Sequence, residues 1–168
     1  VKRLVLALVL LSSSILHAQE VPLEYRVKAA FLFNFAKFVQ WPAAADLGPI
    51  QICVAGRNVF GDALVETVRG ETINGRPLAV RVILEPEPGC HIIFVPRGAA
   101  TTAYLRAARS SPSLTVGETS EFIAMGGIVN FTVEGTSVRF EIDPEAAERA
   151  GLRISSRLLR LARLPGGA

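Results

Sequence analysis

Three sets of residues in this 168-residue chain have the types and spacing to do chemistry, and each has a simpler reading beside it. Gly56 and Gly61 stand at phosphate-loop spacing behind an apolar run. Asp62 and Ala63 then occupy the positions where such a loop carries lysine and a hydroxyl, and a carboxylate there repels phosphate. The segment therefore reads as a strand-to-helix turn. His91 would need a carboxylate or a nucleophile aimed at it to act as a general base. It opens a short buried strand, at the sheet end opposite the usual ligand crevice, so a structural role is favoured. Cys53 and Cys90 have only His91 and His17 as further soft ligands, too few for zinc. There is no G-x-S-x-G elbow and no H-E-x-x-H helix. The expectation is no catalytic residue, no metal and no cofactor.

Binding is better supported. The stretch from Leu23 to Trp41 reads as a helix, because Leu23, Val27, Ala30, Phe31, Phe35 and Phe38 recur at three- and four-residue steps. Proline at position 42 disfavours helical geometry at Trp41 and ends it. Winding at about 100° per residue puts Arg26, Lys37 and Gln40 on one side with Phe33 among them, while Asn34 falls on the apolar side. An exposed Phe33 flanked by Lys37, with Trp41 at the end of the helix, makes an aromatic anchor for a partner or a second copy. The alternative is a Phe33 covered by a loop and a satisfied, buried Asn34. Near the other terminus Arg153, Arg157 and Arg160 form a stripe with Ile154, Leu158 and Leu161 roughly opposite. Such a stripe meets acidic lipid heads or an acidic partner, or is simply solvated.

These residues need elements to hold them. Ile50–Gly56, Leu78–Leu84, His91–Val95 and Leu114–Gly117 read as short apolar strands. Helical stretches fall at Phe60–Val68, with Asp62 in its first turn, and from Thr101 or Thr102 to about Arg109. Ile128–Val133 and Val138–Ile142 flank Glu134-Gly135-Thr136-Ser137 as a hairpin. Short helices follow from Pro144 to Ala150 and from Ser155 to Leu164. Strands alternating with helices predict parallel βαβ units. The fold class is α/β: a single three-layer domain with a mostly parallel mixed sheet of five or so strands, flanked by helices and closed by a C-terminal antiparallel hairpin. In such a sheet ligands gather beyond the strands' carboxyl ends. Arg57 and Arg97 lie there, with Phe60 nearby, and would suit an anionic small molecule.

The first 18 residues set the compartment. Lys2 and Arg3 precede an apolar run from Leu4 to Leu11, and Ala18 suits the residue before a cut. Residues 1–18 read as a signal peptide and 19–168 as the exported domain, with an uncleaved anchor as the alternative. The formal charge of +3 drops to +1 without Lys2 and Arg3, which excludes a nucleic-acid protein with a dominant basic face. An oxidising compartment invites a Cys53–Cys90 disulfide. The strand register argues against it: Cys53 sits late in one strand and Cys90 opens another, leaving two buried thiols as the alternative.

The run Glu24-Tyr25-Arg26-Val27-Lys28-Ala29-Ala30-Phe31-Leu32-Phe33-Asn34-Phe35-Ala36-Lys37-Phe38-Val39-Gln40-Trp41-Pro42 resembles the opening motif of the YfiR-like family. The likeness continues through Phe60-Gly61-Asp62-Ala63-Leu64, Cys90-His91-Ile92-Ile93-Phe94, Gly126-Gly127-Ile128-Val129-Asn130-Phe131 and Ala150-Gly151-Leu152-Arg153-Ile154-Ser155-Ser156-Arg157-Leu158-Leu159. The resemblance implies a non-enzymatic periplasmic α/β protein, often a homodimer. It would repress a membrane-bound diguanylate cyclase through that enzyme's periplasmic part, and an outer-membrane lipoprotein would relieve the repression. It also implies pairing of Cys53 with Cys90. The family's second cysteine pair has no counterpart here, since no cysteine follows Cys90. The sequence thus points to an exported signalling adaptor without cofactor, acting on cyclic di-GMP control through a membrane partner. A periplasmic small-molecule sensor using Arg57, Phe60 and Arg97 is the alternative, and a hydrolase is the least supported reading.

Overall fold

The computed structural model describes residues 20–43 and 48–165. The expected signal peptide lies outside the described residues. Helix α1 (Leu23–Phe38) follows Pro22 and carries Glu24 in its first turn, where a negative charge favours the helix N-terminus. It stops three residues before the expected end. Val39 and Gln40 leave the helix as strand β1 and pair antiparallel with Ile154 and Arg153 of strand β9 (Arg153–Ile154), a separate two-stranded sheet. Backbone partners from the far end of the chain capture these residues, a long-range contact that local periodicity does not register.

The main sheet has seven strands in the order β3-β4-β2-β5-β6-β7-β8. These are β2 (Ile50–Ala55), β3 (Thr72–Ile73), β4 (Arg76–Ile83), β5 (Ile92–Val95), β6 (Leu114–Gly117), β7 (Val129–Glu134) and β8 (Ser137–Ile142). β4, β2, β5, β6 and β7 run parallel, and β8 returns antiparallel, as expected for the closing hairpin. The count exceeds five or so partly because β3 and β4 form a second hairpin. Its turn is Asn74-Gly75, both residues at positive φ, and an Asn-Gly pair favours such a two-residue turn. The C-terminal hairpin is likewise tighter than expected, with Gly135 and Thr136 alone between its strands.

Three layers follow from the alternation along the strands. Ile50, Ile52 and Val54 of β2, with Ile92 and Phe94 of β5, face the layer of α1 and helix α2 (Ala63–Val68). Cys53, Ala55, Ile93 and Val95 face helix α3 (Thr101–Ala108), which buries Tyr104, Leu105 and Ala108. Asp62 precedes α2 instead of lying in its first turn, and α3 has no side-chain cap from Thr101 or Thr102. On the α3 side the segment 118–127 turns so that the buried Phe122 ring lies over Gly117 and Gly127. A β-carbon on either glycine would sit 2.2 Å from the ring. Helix α4 (Pro144–Arg149) is capped by the Asp143 carboxylate, which accepts from Ala146 N at 2.9 Å. The last helix, α5 (Ser156–Leu159), is shorter than expected, because the chain beyond it lies along β8: Ile142 N–H donates to Arg163 O at 2.9 Å, and Arg163 N–H to Phe140 O at 3.0 Å.

Cys53 and Cys90 are joined in a disulfide, with α-carbons 5.8 Å apart. The register argument against this pairing fails because Cys90 is not in the strand. β5 begins at Ile92, and the segment that crosses from β4 packs Cys90 into the α3-side core beside Cys53 before the strand starts. The link closes a separation of 37 residues around the β2–β4–β5 crossover, where loop-closure entropy predicts about 3–4 kcal/mol of stabilisation. The Cys53→Ser/Cys90→Ser double variant should therefore lower the urea unfolding free energy by about 3 kcal/mol relative to the oxidised protein. A midpoint unchanged within error would show that the crossover is held by packing alone.

Candidate functional site

The carboxyl ends of the parallel strands are where this fold class places ligands, and here they are filled by the chain itself. β2 lies between β4 and β5, so the strand order reverses at the ends of β2 and β5. Phe60 plugs the position beyond β2. It is fully buried, edge-on to Phe94 at 5.0 Å and to Tyr25 of α1 at 5.6 Å. As a residue for an anionic ligand it is therefore corrected to a core residue, with no surface to offer. Arg57 is exposed at the rim. Arg97 is exposed as well, but its backbone N–H donates to Glu118 Oε1 at 2.8 Å and its guanidinium to Glu118 O at 3.3 Å.

Glu118 centres the charged cluster that occupies this rim. It follows β6 and is buried, and its Oε2 lies 2.5 Å from Nζ of Lys28, itself only 2 % exposed. The Lys28 ammonium also pairs with Glu24 one turn earlier and sits 4.8 Å from the Tyr25 ring centre. The Tyr25 hydroxyl donates to Glu118 Oε1 at 3.2 Å. Both carboxylate oxygens and the ammonium thus have partners, the condition under which a buried ion pair is tolerated. Burial, and then the Glu118 charge, push the Tyr25 hydroxyl up to about 12. The carboxylates and the ammonium of the cluster are engaged with one another. The cluster's work is to pin the N-terminal half of α1 onto the sheet.

That pinning decides which face of α1 looks outward, and it overturns part of the expectation from periodicity. Arg26, Lys37 and Gln40 are exposed and Phe35 is buried as expected, but the outer face also takes in apolar residues expected inside. The buried residues are Lys28, Ala29, Leu32, Phe35 and Ala36. Leu23 is 65 % exposed, and Ala30 is also exposed. Leu23, Arg26, Val27, Ala30, Phe31 and Asn34 line an open hollow of about 500 Å³. Asn34, expected among buried apolar residues, faces this hollow. The apolar signal misled because α1 is apolar nearly all round, and the one charged residue on its inner face is neutralised inside the core.

The other candidate residues converge at the C-terminal end of α1. Lys37 is exposed, with its ammonium 3.9 Å from the ring centre of Phe33, which is half-buried. Pairing of β1 with β9 brings Arg153 opposite Gln40, and Arg157 lies over Phe38 at 5.9 Å. Arg153, Arg157 and Arg160 are all exposed. Trp41 is used differently: its indole N–H donates to His91 O at 3.2 Å, and its ring meets the His91 ring edge-on. His91 itself is buried, its Nδ1 accepting from Gln51 N at 3.1 Å and its Nε2 lying 2.9 Å from the Arg76 guanidinium. Both side chains knit the amino ends of β2 and β5 to the end of α1. The apolar hollow, Leu23 to Asn34, was missed in the sequence as a surface, although the excess of apolar residues around the helix was the signal.

The arrangement defines a class: a three-layer α/β domain whose ligand crevice is plugged and whose first helix offers an apolar face with a cationic end. The chain belongs to the YfiR/HmsC-like family, which matches residues 25–163, the family the sequence resembles. A solved structure of similar fold is a conserved domain protein from Vibrio cholerae O1 biovar El Tor, at TM-score 0.56 and 12 % identity over 83 % of this chain. The present chain spans 59 % of the length of that protein. The likeness is one of fold.

Two outcomes check the rim. Lys28→Met leaves Glu118 buried without its cation and should cost about 3–5 kcal/mol in urea unfolding, whereas an exposed pair would cost less than 1. The raised Tyr25 hydroxyl gives stability that is complete below pH about 10, where the unfolded tyrosine is still protonated, and is lost as pH climbs toward about 12. Melting temperature should fall over that window, and Tyr25→Phe should flatten part of the slope.

Proposed function

We propose that this protein is an exported, non-enzymatic adaptor that binds the periplasmic part of a membrane signalling protein such as a diguanylate cyclase, and so controls cyclic di-GMP output. One observation carries the reading. The helix that opens the family's characteristic motif is anchored through its charged and aromatic inner residues, and turns Leu23, Val27, Ala30 and part of Phe31 outward with Arg26 and Asn34 between them. A face of this kind on a family of signalling regulators is suited to helix-in-groove or helix–helix docking, in which a few apolar anchors carry most of the affinity. Phe33 and Lys37 extend it toward the C-terminal end of α1, and Arg153, Arg157 and Arg160 add positive charge at its margin. Trp41 acts from beneath, holding that end of the helix to the sheet through His91. No helix among the described residues is long and apolar enough to cross a membrane. A homodimer and capture by an outer-membrane lipoprotein belong to the same proposal, as alternative occupants of the same surface.

Ala30 lies at the centre of the face and is exposed, so Ala30→Glu should leave the melting temperature within about 2 °C of the parent while putting a charge into the contact. Affinity capture from envelope extract should recover a membrane protein with the parent and at least tenfold less of it with the variant. Recovery of no membrane protein in any condition, or equal recovery with both, would remove the reading.

A further inference from the structure

Lys37, Arg153, Arg157 and Arg160 are brought together from the two ends of the fold, and among the described residues none of them makes an ion pair. We propose that this patch rests on anionic phospholipid headgroups, so that the protein works seated on the membrane in which its partner is embedded. The inference deepens the adaptor reading by naming what the cationic margin meets.

Charge is the first consideration. Without Lys2 and Arg3 the chain carries 16 basic and 15 acidic residues, so four cations on one small area are a marked departure from a nearly neutral molecule. Arg81 is answered by Glu87 at 3.0 Å, Arg163 by Glu134 and Lys28 by Glu118. Arg57, Arg69, Arg106, Arg109 and Arg139, like the four of the patch, make no ion pair among the described residues. What sets the four apart is that pairing of β1 with β9 gathers them at one end of α1. Here the nearby carboxylate is Glu148, which lines a hollow with Arg153 but does not pair with it.

The second strand is the way the cations are held. Lys37 lies over Phe33 and Arg157 over Phe38, so each charge is supported on an aromatic face and its outer side remains free for phosphate oxygens. The β1–β9 ladder fixes Arg153 beside Gln40, next to the end of α1. Leu161, adjacent in the chain to Arg160, is 69 % exposed and supplies an apolar side chain of the kind that enters the headgroup boundary beside basic residues.

The third is the balance between a lipid surface and an acidic protein. The cations sit on exposed helix and strand ends with no groove between them, whereas the open apolar hollow of α1 is a separate one, lined by Leu23 to Asn34. A laterally mobile sheet of charges can meet spread cations one by one, each adding attraction that decays within a Debye length. A rigid acidic protein would have to match their spacing.

Vesicle co-sedimentation at low ionic strength tests this without any protein partner, so its outcome is independent of whether the adaptor reading holds. The probes are pure phosphatidylcholine vesicles and vesicles of phosphatidylcholine with phosphatidylglycerol at three to one. The parent protein should pellet with the anionic vesicles, be released by molar salt and stay in solution with the neutral ones. The triple variant Arg153→Gln/Arg157→Gln/Arg160→Gln should bind the anionic vesicles at least tenfold more weakly. Its circular dichroism and melting curve, measured alongside, should match the parent. If the triple variant fails to fold, Arg160→Gln alone should still give a measurable loss. Equal binding to both vesicle types, or no binding to anionic vesicles, would overturn the proposal. Capture by soluble polyglutamate without capture by vesicles would overturn it in favour of an acidic protein.

Discussion

The buried contact between Lys28 and Glu118 is the constraint on which the useful surface of this protein depends. A lysine and a glutamate 2 % and 4 % exposed are kept in the interior only because each polar atom is answered, by Glu24, Tyr25, the Arg97 backbone and each other. Removing either partner leaves a charge out of water, which costs far more than the pair contributes when intact. The arrangement therefore does more to select one docking of α1 than to add stability. Once Lys28 must face Glu118, the rotation of the helix about its axis is settled, and so is the set of residues it leaves to solvent.

The same contact removes the crevice that an α/β sheet of this order usually keeps for a ligand. Tyr25, Lys28, Phe60 and Glu118 fill the space beyond β2, β5 and β6, and Phe94 closes it from below. The outer surface of α1 gains what the crevice loses. A plugged sheet end and an apolar helix face are two consequences of one packing choice, and together they move the protein's work from an interior pocket to an exterior surface. The disulfide acts on another part of the structure. It ties the crossover between β4 and β5, which contains no helix of its own, to the centre of the sheet beneath α3.

The two chain ends meet through a two-residue ladder. β1 and β9 contribute only Val39, Gln40, Arg153 and Ile154, yet that pairing brings the arginines of the C-terminal segment alongside the end of α1. The cationic margin and the apolar face thus share a single helix as their common edge. Trp41 and His91 lock that edge from beneath, so the position of the patch relative to the hollow follows from packed, hydrogen-bonded groups.

Much of this was legible in the residues alone. Short β-branched and apolar runs separated by glycine and proline specify strands locally, and their alternation with helices implies a parallel sheet, so the α/β class, the strands β2, β5 and β6 and the closing hairpin follow from sequence. The Asn74-Gly75 turn was not read, although an Asn-Gly pair is a local signal for such a turn. Three matters were decided only by tertiary structure. The outward face of α1 could be read only in part. Arg26, Lys37 and Gln40 are exposed as expected, but the exposure of Leu23 and Ala30 and the burial of Lys28 were not legible. The helix is apolar around most of its circumference and a lysine normally marks the solvent side; only a carboxylate 90 residues away reverses that. The disulfide turned on Cys90 preceding its strand, a matter of how a crossover lies across the sheet. The convergence of Lys37 with the arginines required the ends of the chain to pair. Local patterning reports the elements, but contacts across the sequence depend on which groups compete for the same interior space, and that competition is resolved only when the chain is folded.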